Sequence, residues 1–321
     1  MQNISIVTFY TIERVVDHIK LGRSVERFCV KNEIVGTFFS TPQGINTTLA
    51  GDKQSLKDLI SLIESKFLIQ ISEQTWSISK KQPFKRLKIK ARENLLPLEG
   101  DFDPVIARGK HLKSSAWNEL ISDPDTVILD VRNDYETEIG SFRNSIIPNM
   151  KNLTEFPEFV KSHLSSKKDK KIAMFCTGGI RCEIASSFML SQGFQDVSQL
   201  DGGILRYLDN VEGEENLWEG ECFVFDERVT VDKNLKQGEY LQCFGCRRPL
   251  SKEDLKSDFY EKGVSCHKCF DQSSKKDKER FAQRQLQIEL ADKRGHAHML
   301  SLIHISEPTR LRRISYAVFC L

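Results

Sequence analysis

Along the first hundred residues the apolar positions change period several times, and each change marks an element. Ile4 to Tyr10 reads as a strand, and Ile12 to Lys31 as a helix broken or kinked near Gly22. Ile34 to Phe39 is a second strand, Thr41-Pro42-Gln43-Gly44 a turn, and Ile45 to Ala50 a third strand. Asp52 caps the next helix, in which Leu56, Leu59, Ile60, Ile63 and Phe67 recur at helical spacing. Phe84 to Arg92 is a last strand, with Phe84, Leu87, Ile89 and Ala91 set against Lys85, Lys88, Lys90 and Arg92. The order strand, helix, strand, strand, helix, strand predicts a ferredoxin-like α/β sandwich over residues 1–97.

Beyond it the pattern becomes a regular alternation of short buried runs and helices. Trp117 to Ile121 reads as a short helix, and Val127 to Arg132 as a buried strand ending in charge. Lys171 to Phe175 is a second buried strand, followed directly by an apolar helix from Ile184 to Leu190. This alternation predicts a doubly wound parallel sheet over residues 98–212. Residues 213–298 form a cysteine-rich region with a charged helix, Lys275 to Arg294. Phe281, Leu286 and Leu290 let that helix dock by a narrow apolar stripe, while its Lys and Arg residues equally suit a face laid on RNA. From Leu302 to Leu321 there is no capping, no clean period and a central proline. This stretch resembles the translation of a sequencing adapter, so 299–321 are expected to be a non-native tail and Cys320 to carry no function. A genuine basic amphipathic tail is the alternative.

Composition narrows the class. The 321 residues are 39% hydrophobic and 29% charged, as in an ordinary globular protein, and the length allows two or three cores. A net charge of only +2 means that any contact with nucleic acid comes from local basic patches. No signal peptide and no apolar run of membrane length is read, so a reducing, cytoplasmic setting away from membranes is expected.

The chemistry concentrates in Cys176-Thr177-Gly178-Gly179-Ile180-Arg181-Cys182-Glu183. Cys176 sits where a strand turns into a helix, and the free N–H groups of a helix start favour negative charge. Gly178 and Gly179 let the backbone curl so that several N–H groups, those of Thr177 and Ile180 included, face one point. With Arg181 close by, the thiol pKa falls and a thiolate or bound anion is held. An inert buried cysteine would leave the glycines and the arginine without a role. Cys182 either resolves a disulfide or persulfide on Cys176 or fills the core as a small apolar group. Glu183 reads as a cap at the helix start with no part in the chemistry.

Two further groups stand out. Cys243-x-x-Cys246 and Cys266-x-x-Cys269, 19 residues apart, have the spacing of a tetrahedral four-thiolate zinc site, structural because all four positions are filled. Redox dithiols are the alternative, and His267 replacing a neighbouring cysteine is a minor variant. Lys80, Lys81, Lys85, Arg86, Lys88, Lys90 and Arg92 fall within 13 residues. They suit a phosphate backbone, and equally the solvated face of a half-buried strand.

Four residues separate Cys176 from Arg181, and this resembles the active loop of the rhodaneses; cysteine phosphatases use one more. Asp130-Val131-Arg132, Tyr135-Glu136, Gly140, Ile146 to Pro148 and Leu200-Asp201-Gly202-Gly203-Ile204 extend the resemblance, with Tyr207 where many members carry tryptophan. Asp130 and Arg132 are expected to fix the loops beside the cysteine by a buried ion pair or hydrogen bonds. Across 1–298 the chain is similar to a narrower family, the bacterial tRNA uridine hydroxylases. That similarity rests on Gly36-Thr37, Gln43-Gly44-Ile45-Asn46, Phe84-Lys85-Arg86-Leu87-Lys88, Cys176 to Glu183 and the two cysteine pairs.

The resemblance implies oxygen-dependent hydroxylation at C5 of the wobble uridine of tRNA, with Cys176 essential, molecular oxygen as co-substrate and the anticodon loop as partner. An electron or sulfur donor of unknown identity is implied as well. No haem, flavin or nucleotide-cofactor motif is read. Two other classes stay open: a sulfurtransferase carrying a persulfide on Cys176, and a non-catalytic RNA-binding scaffold.

Overall fold

The computed structural model describes residues 3–71 and 74–294. The predicted tail lies outside the described residues.

The first sheet grows around β1 (Ile4–Ile12), whose residues Val7 and Phe9 bury into the N-terminal core. The strand runs on to Ile12, where a helix was expected. The first helix, α1 (His18–Lys31), starts only where the Asp17 carboxylate accepts the Lys20 N–H. Gly22 does not break it; a Cβ there would lie 3.2 Å from Ser40 Oγ, so glycine lets the helix sit close to the sheet. There follow β2 (Val35–Thr41), β3 (Gly44–Gly51), α2 (Lys53–Phe67), β4 (Thr75–Ser79) and β5 (Leu87–Ala91). The sheet order is β4-β1-β3-β2-β5, antiparallel except for the parallel pair β2–β5. The first four strands make the ferredoxin-like sandwich.

One assignment is corrected. The strand beside β1 is Thr75–Ser79, which sequence reasoning passed over, while the basic run expected to close the fold adds outside β2 as a fifth strand. Ile69 and Ile71, buried after α2, bring the chain back to β1 first, so the slot there is filled before the basic segment arrives. Leu87 and Ile89 then pack on the core from the edge.

The second sheet is wholly parallel. It comprises β6 (Lys110–Leu112), β7 (Val127–Asp130), β9 (Lys171–Phe175) and β10 (Asp196–Leu200), in the order β6-β10-β9-β7. Helices α3 (Ser114–Ser122), α4 (Asp134–Thr137), α5 (Phe156–Phe159), α6 (Ile180–Ser191) and α7 (Gly203–Asn210) and the short β8 (Gly140–Phe142) connect and cover it. The two strands β7 and β9 are buried almost throughout, which is why they read as apolar runs; β6 (Lys-His-Leu) and β10 (Asp-Val-Ser-Gln-Leu) do not. Met174, Ile184 and Phe188 lie in one core; Trp117, Phe142, Phe175 and Trp218 lie in the other.

The chain from 213 stays with this body. β11 (Trp218–Gly220) pairs with β8, and a hairpin of β12 (Cys222–Phe223) and β13 (Thr230–Val231) follows. The Trp218 ring meets Phe142 edge-on at 5.2 Å, and Tyr207 Oη accepts the Leu217 N–H. The division expected after residue 212 therefore falls inside a unit that runs to Glu239, because this segment carries part of the core on one face of the parallel sheet.

The second unit begins at Tyr240. It holds a two-stranded ladder, β14 (Leu241–Gln242) with β15 (Pro249–Leu250), and helix α8 (Lys275–Lys293). Arg284 on α8 donates to the carbonyls of Phe244 (2.7 Å) and Gly263 (3.0 Å), so the helix attaches to its own unit by polar contacts. No helix among the described residues is long and apolar enough to cross a membrane.

Candidate active site

β9 ends at Phe175 and α6 begins at Ile180; the turn between them carries Cys176. The curl is made at Gly179, whose φ of 95° suits glycine, and its N–H points back to Cys176 Sγ at 3.2 Å. Thr177 is buried, Gly178 and Ile180 are half-buried, and nothing lies within 4 Å of where a Cβ on Gly178 would sit. From outside, the start of α7 clamps the turn: Ile204 N–H donates to Cys176 O and Leu205 N–H to Thr177 O, both at 3.0 Å. Gly203 is needed for that approach, since a Cβ there would fall 2.5 Å from Cys176 O.

Cys176 is fully buried, and burial alone would push its thiol up. The Cys182 thiol donating to it, the charge of Arg181 and the N–H groups of Cys182 and Arg181 outweigh that and bring it down to about 6. Cys182 carries the opposite shift: burial and the neighbouring Cys176 push it well above the ordinary thiol range. Of the two buried sulfurs, only Cys176 is a thiolate at neutral pH. The sign is testable. The ultraviolet thiolate absorbance missing from Cys176→Ala should rise with pH around 6 and be flat above 8; a midpoint near the ordinary thiol value of 9 would remove the nucleophile.

Arg181 lies close enough to lower the Cys176 thiol, as expected, but its hydrogen bonds go to a carboxylate. Its Nη1 and Nη2 bind the two oxygens of Glu136 at 2.6 and 2.7 Å, and Thr177 Oγ1 donates to the same carboxylate at 3.0 Å. Behind Glu136, Arg132 pairs with Asp130 (2.6 and 2.9 Å) and donates to the carbonyls of Glu136 and Gly140. Asp130, Arg132 and Glu136 are fully buried and Arg181 nearly so. The row of charges alternates, Asp130, Arg132, Glu136, Arg181, then the Cys176 thiolate. A buried carboxylate unpaired would protonate; between two arginines, Glu136 stays below the usual range despite burial. Arg181 thus acts on the sulfur through its field while its hydrogen bonds hold the loop. Glu136 was within reach of sequence reasoning, because Asn133-Asp134-Tyr135-Glu136 forms a capping box.

A second carboxylate was misread. Glu183 does not cap α6, whose first residue follows Gly179 with no side-chain cap. It is 2% exposed and accepts from Tyr10 Oη at 2.7 Å and from Gln199 Nε2 at 3.0 Å, with His111 Nε2 at 2.7 Å and Arg108 Nε at 3.3 Å. Tyr10 comes from β1, so the first domain reaches into the cysteine loop. A Cβ on Gly179 would lie 2.6 Å from Tyr10 Oη. Beside it opens a cleft of about 370 Å³, bordered by Tyr10, Arg108, His111, Glu183, Asp201 and Arg206 among others. It sits at the carboxyl end of β6 and β10, the usual ligand position on an open parallel sheet. No local pattern in the sequence joins Tyr10, His111 and Glu183.

The basic residues Lys85, Arg86, Lys88, Lys90 and Arg92 are exposed on β5 and at its two ends. Lys85 reaches Glu227 at 3.5 Å, and the Arg92 guanidinium stands 4.5 Å above the Phe39 ring. Partial burial first, and then the neighbouring charges of Lys90, Arg86 and Arg92, lower the Lys88 pKa. β3 and β2 separate β5 from the strand that carries Tyr10, a distance of about 14 Å.

In the second unit, the sulfurs of Cys243, Cys246, Cys266 and Cys269 all lie within 4.8 Å of one another. The separations Cys243–Cys269 (3.9 Å), Cys246–Cys266 (3.8 Å) and Cys266–Cys269 (3.8 Å) match the ~3.8 Å edge of a tetrahedron with ~2.3 Å zinc–sulfur bonds. The donor set and its geometry fit zinc, and the cluster could hold such an ion structurally. His267 instead faces Asp254, its Nδ1 3.6 Å from the carboxylate, and is outside the cluster.

Residues 4–95 match the family model of the UPF0176 acylphosphatase-like domain, and residues 114–210 that of the rhodanese-like domain. Among solved structures, the rhodanese-like domain of an Anabaena protein is 21% identical, covering 34% of this chain and 78% of that one, with a TM-score of 0.29. A rhodanese-related protein of Thermoplasma volcanium is 27% identical over 32% of this chain and 95% of its own, TM-score 0.26. An acylphosphatase of Coxiella burnetii is 13% identical over 28% of this chain and 94% of its own, TM-score 0.22. The chain thus joins a segment that matches the UPF0176 acylphosphatase-like domain to one that matches the rhodanese-like domain.

Proposed function

We propose that this chain hydroxylates the wobble uridine of tRNA at C5, with Cys176 as nucleophile and molecular oxygen as the source of the new oxygen atom. The observation that carries the reading is that the two domains build one site: Tyr10 of the first lies over Gly179 of the cysteine loop of the second. A wobble base stands in a single-stranded loop, where it can be splayed out into a protein cleft. The basic edge strand β5 suits the phosphates that flank it. The Cys176 thiolate pair forms the S–C6 bond while the C5–C6 π pair shifts onto C5 and O4 as an enolate, making C5 nucleophilic toward oxygen. The overall balance is uridine, oxygen, two electrons and two protons giving 5-hydroxyuridine and water. A two-electron donor from outside the chain is therefore required.

The rhodanese-like domain supports a second reading, in which Cys176 carries a persulfide and hands its outer sulfur to an acceptor thiolate. The test is nucleoside mass spectrometry of tRNA from cells lacking this activity, complemented with residues 1–298. 5-Hydroxyuridine with the wild-type chain and none with Cys176→Ala is the expected result. No 5-hydroxyuridine alongside steady thiosulfate turnover would replace the hydroxylase by the sulfurtransferase.

A further inference from the structure

Glu183 is buried behind the cysteine loop and holds two protic partners on one oxygen. Its Oε2 is occupied by Gln199 and Arg108, while Oε1 lies 2.7 Å from both Tyr10 Oη and His111 Nε2. Tyr10 lies against the loop at Gly179 and is half-buried at the edge of the cleft; His111, 37% exposed, borders the same cleft on its solvent side. A clamp between domains would need neither feature. A path for a proton needs both: a group at the reacting centre, a carboxylate to receive, and a titratable group in contact with solvent.

We propose that Tyr10, Glu183 and His111 form a proton relay from the cysteine loop to the cleft, with Tyr10 the catalytic residue that removes the C5 proton. The inference rests on the hydroxylase reading. After oxygen has entered, C5 carries the hydroxyl and its original hydrogen, and C6 carries the Cys176 sulfur. The C5–H bond breaks and its electron pair forms the C5–C6 double bond. The C6–S bond breaks and its pair returns to sulfur as the thiolate. The proton goes to Tyr10 Oη as the phenol passes its own to Glu183 Oε1. From there it leaves through neutral His111 to water in the cleft.

The charges around each member fit these roles. Burial, then Glu183, then Cys176 and Cys182 hold the Tyr10 pKa well above the phenol range, so at rest it is a proton donor to Glu183. His111 is raised by its bond to Glu183 and by Asp201, against burial and Arg108. The exit therefore opens as pH rises through a value above the ordinary imidazole one.

The test uses the full chain, tRNA deuterated at uridine C5, and an extract of cells lacking the activity as the source of reductant. Tyr10→Phe keeps the ring over Gly179 and removes only the hydroxyl. It should slow 5-hydroxyuridine release about 10²-fold, increase the deuterium isotope effect, and accumulate a covalent Cys176–RNA adduct seen by mass spectrometry. Glu183→Gln should do the same and Glu183→Asp recover part, while His111→Gln should abolish the alkaline rise of the rate. Tyr10→Phe with the wild-type rate, no added isotope effect and no adduct overturns the relay while the hydroxylase stands. A wild-type chain that makes no 5-hydroxyuridine overturns both.

Discussion

Stripping metal from the purified protein with a chelator should unfold residues 240–294 and leave 3–239 folded. The core of the second unit is Cys243, Leu250, Cys266 and Cys269, with Cys246, Leu255 and Tyr260 against it. Four of those seven side chains are the thiolates themselves. Take the ion away and the remaining apolar area is far too small to offset the chain entropy of ordering the segment. Structural zinc held by such knuckles contributes about 10–16 kcal/mol of apparent binding energy at neutral pH, and in a unit of this kind that energy is folding energy. Limited proteolysis should show new cleavage only beyond Glu239 after chelation, reversed by zinc, and Cys266→Ser should give that pattern without chelator. Bound zinc near one equivalent in the intact protein, measured by atomic absorption, completes the expectation. Unchanged proteolysis in chelator would make the tetrad a pair of dithiols.

Glu136→Gln should be the most destabilising single change in the rhodanese-like domain. The glutamine fits the space and can still accept from Thr177, yet it leaves Arg181 buried with no opposing carboxylate. Breaking a buried pair in this way costs about 3–5 kcal/mol, most of it the unmatched charge. Denaturant unfolding followed by tryptophan fluorescence suits the measurement, since Trp117 and Trp218 are fully buried in the adjoining core. The double variant Glu136→Gln, Arg181→Met should recover much of the loss by removing the stranded charge. The thiol should move in opposite directions in these variants. With Glu136 neutral, Arg181 is left to the sulfur and the Cys176 midpoint falls below about 6; without Arg181 it climbs toward the ordinary thiol value. Equal stability of Glu136→Gln and wild type would mean that the alternating row of charges does not hold the loop.

What could be read from the residues in order follows chain connectivity. The turn at Cys176 needs only a buried strand, two glycines and a helix that begins at once, all within ten residues. The cysteine tetrad is equally local, since each knuckle sets two sulfurs by its own backbone and 19 residues are enough to bring the knuckles together. The two central strands of the parallel sheet, β7 and β9, announced themselves because strands buried on both faces read as apolar runs; β6 and β10, with polar residues in them, did not.

Other features depended on neighbours remote in sequence. Thr75–Ser79 carries too little apolar surface to read as a strand and becomes one because β1 has an open edge; the basic run then takes the edge left at β2. Arg181 looked free to meet an anion, since its partner lies 45 residues upstream in a different loop. Glu183 looked like a cap because acidic residues in a first helical turn usually are, and its partner Tyr10 is 173 residues away.

By itself, then, the sequence determined the reactive turn, the cysteine tetrad and the class of each domain, all decided by short-range sterics and periodicity. The tertiary structure alone decided which charge faces which, which strand takes which edge, and which tyrosine lies against the cysteine loop. A buried charge must be matched by whatever the fold brings within a hydrogen bond of it, and that choice is written only in the packing of the whole unit.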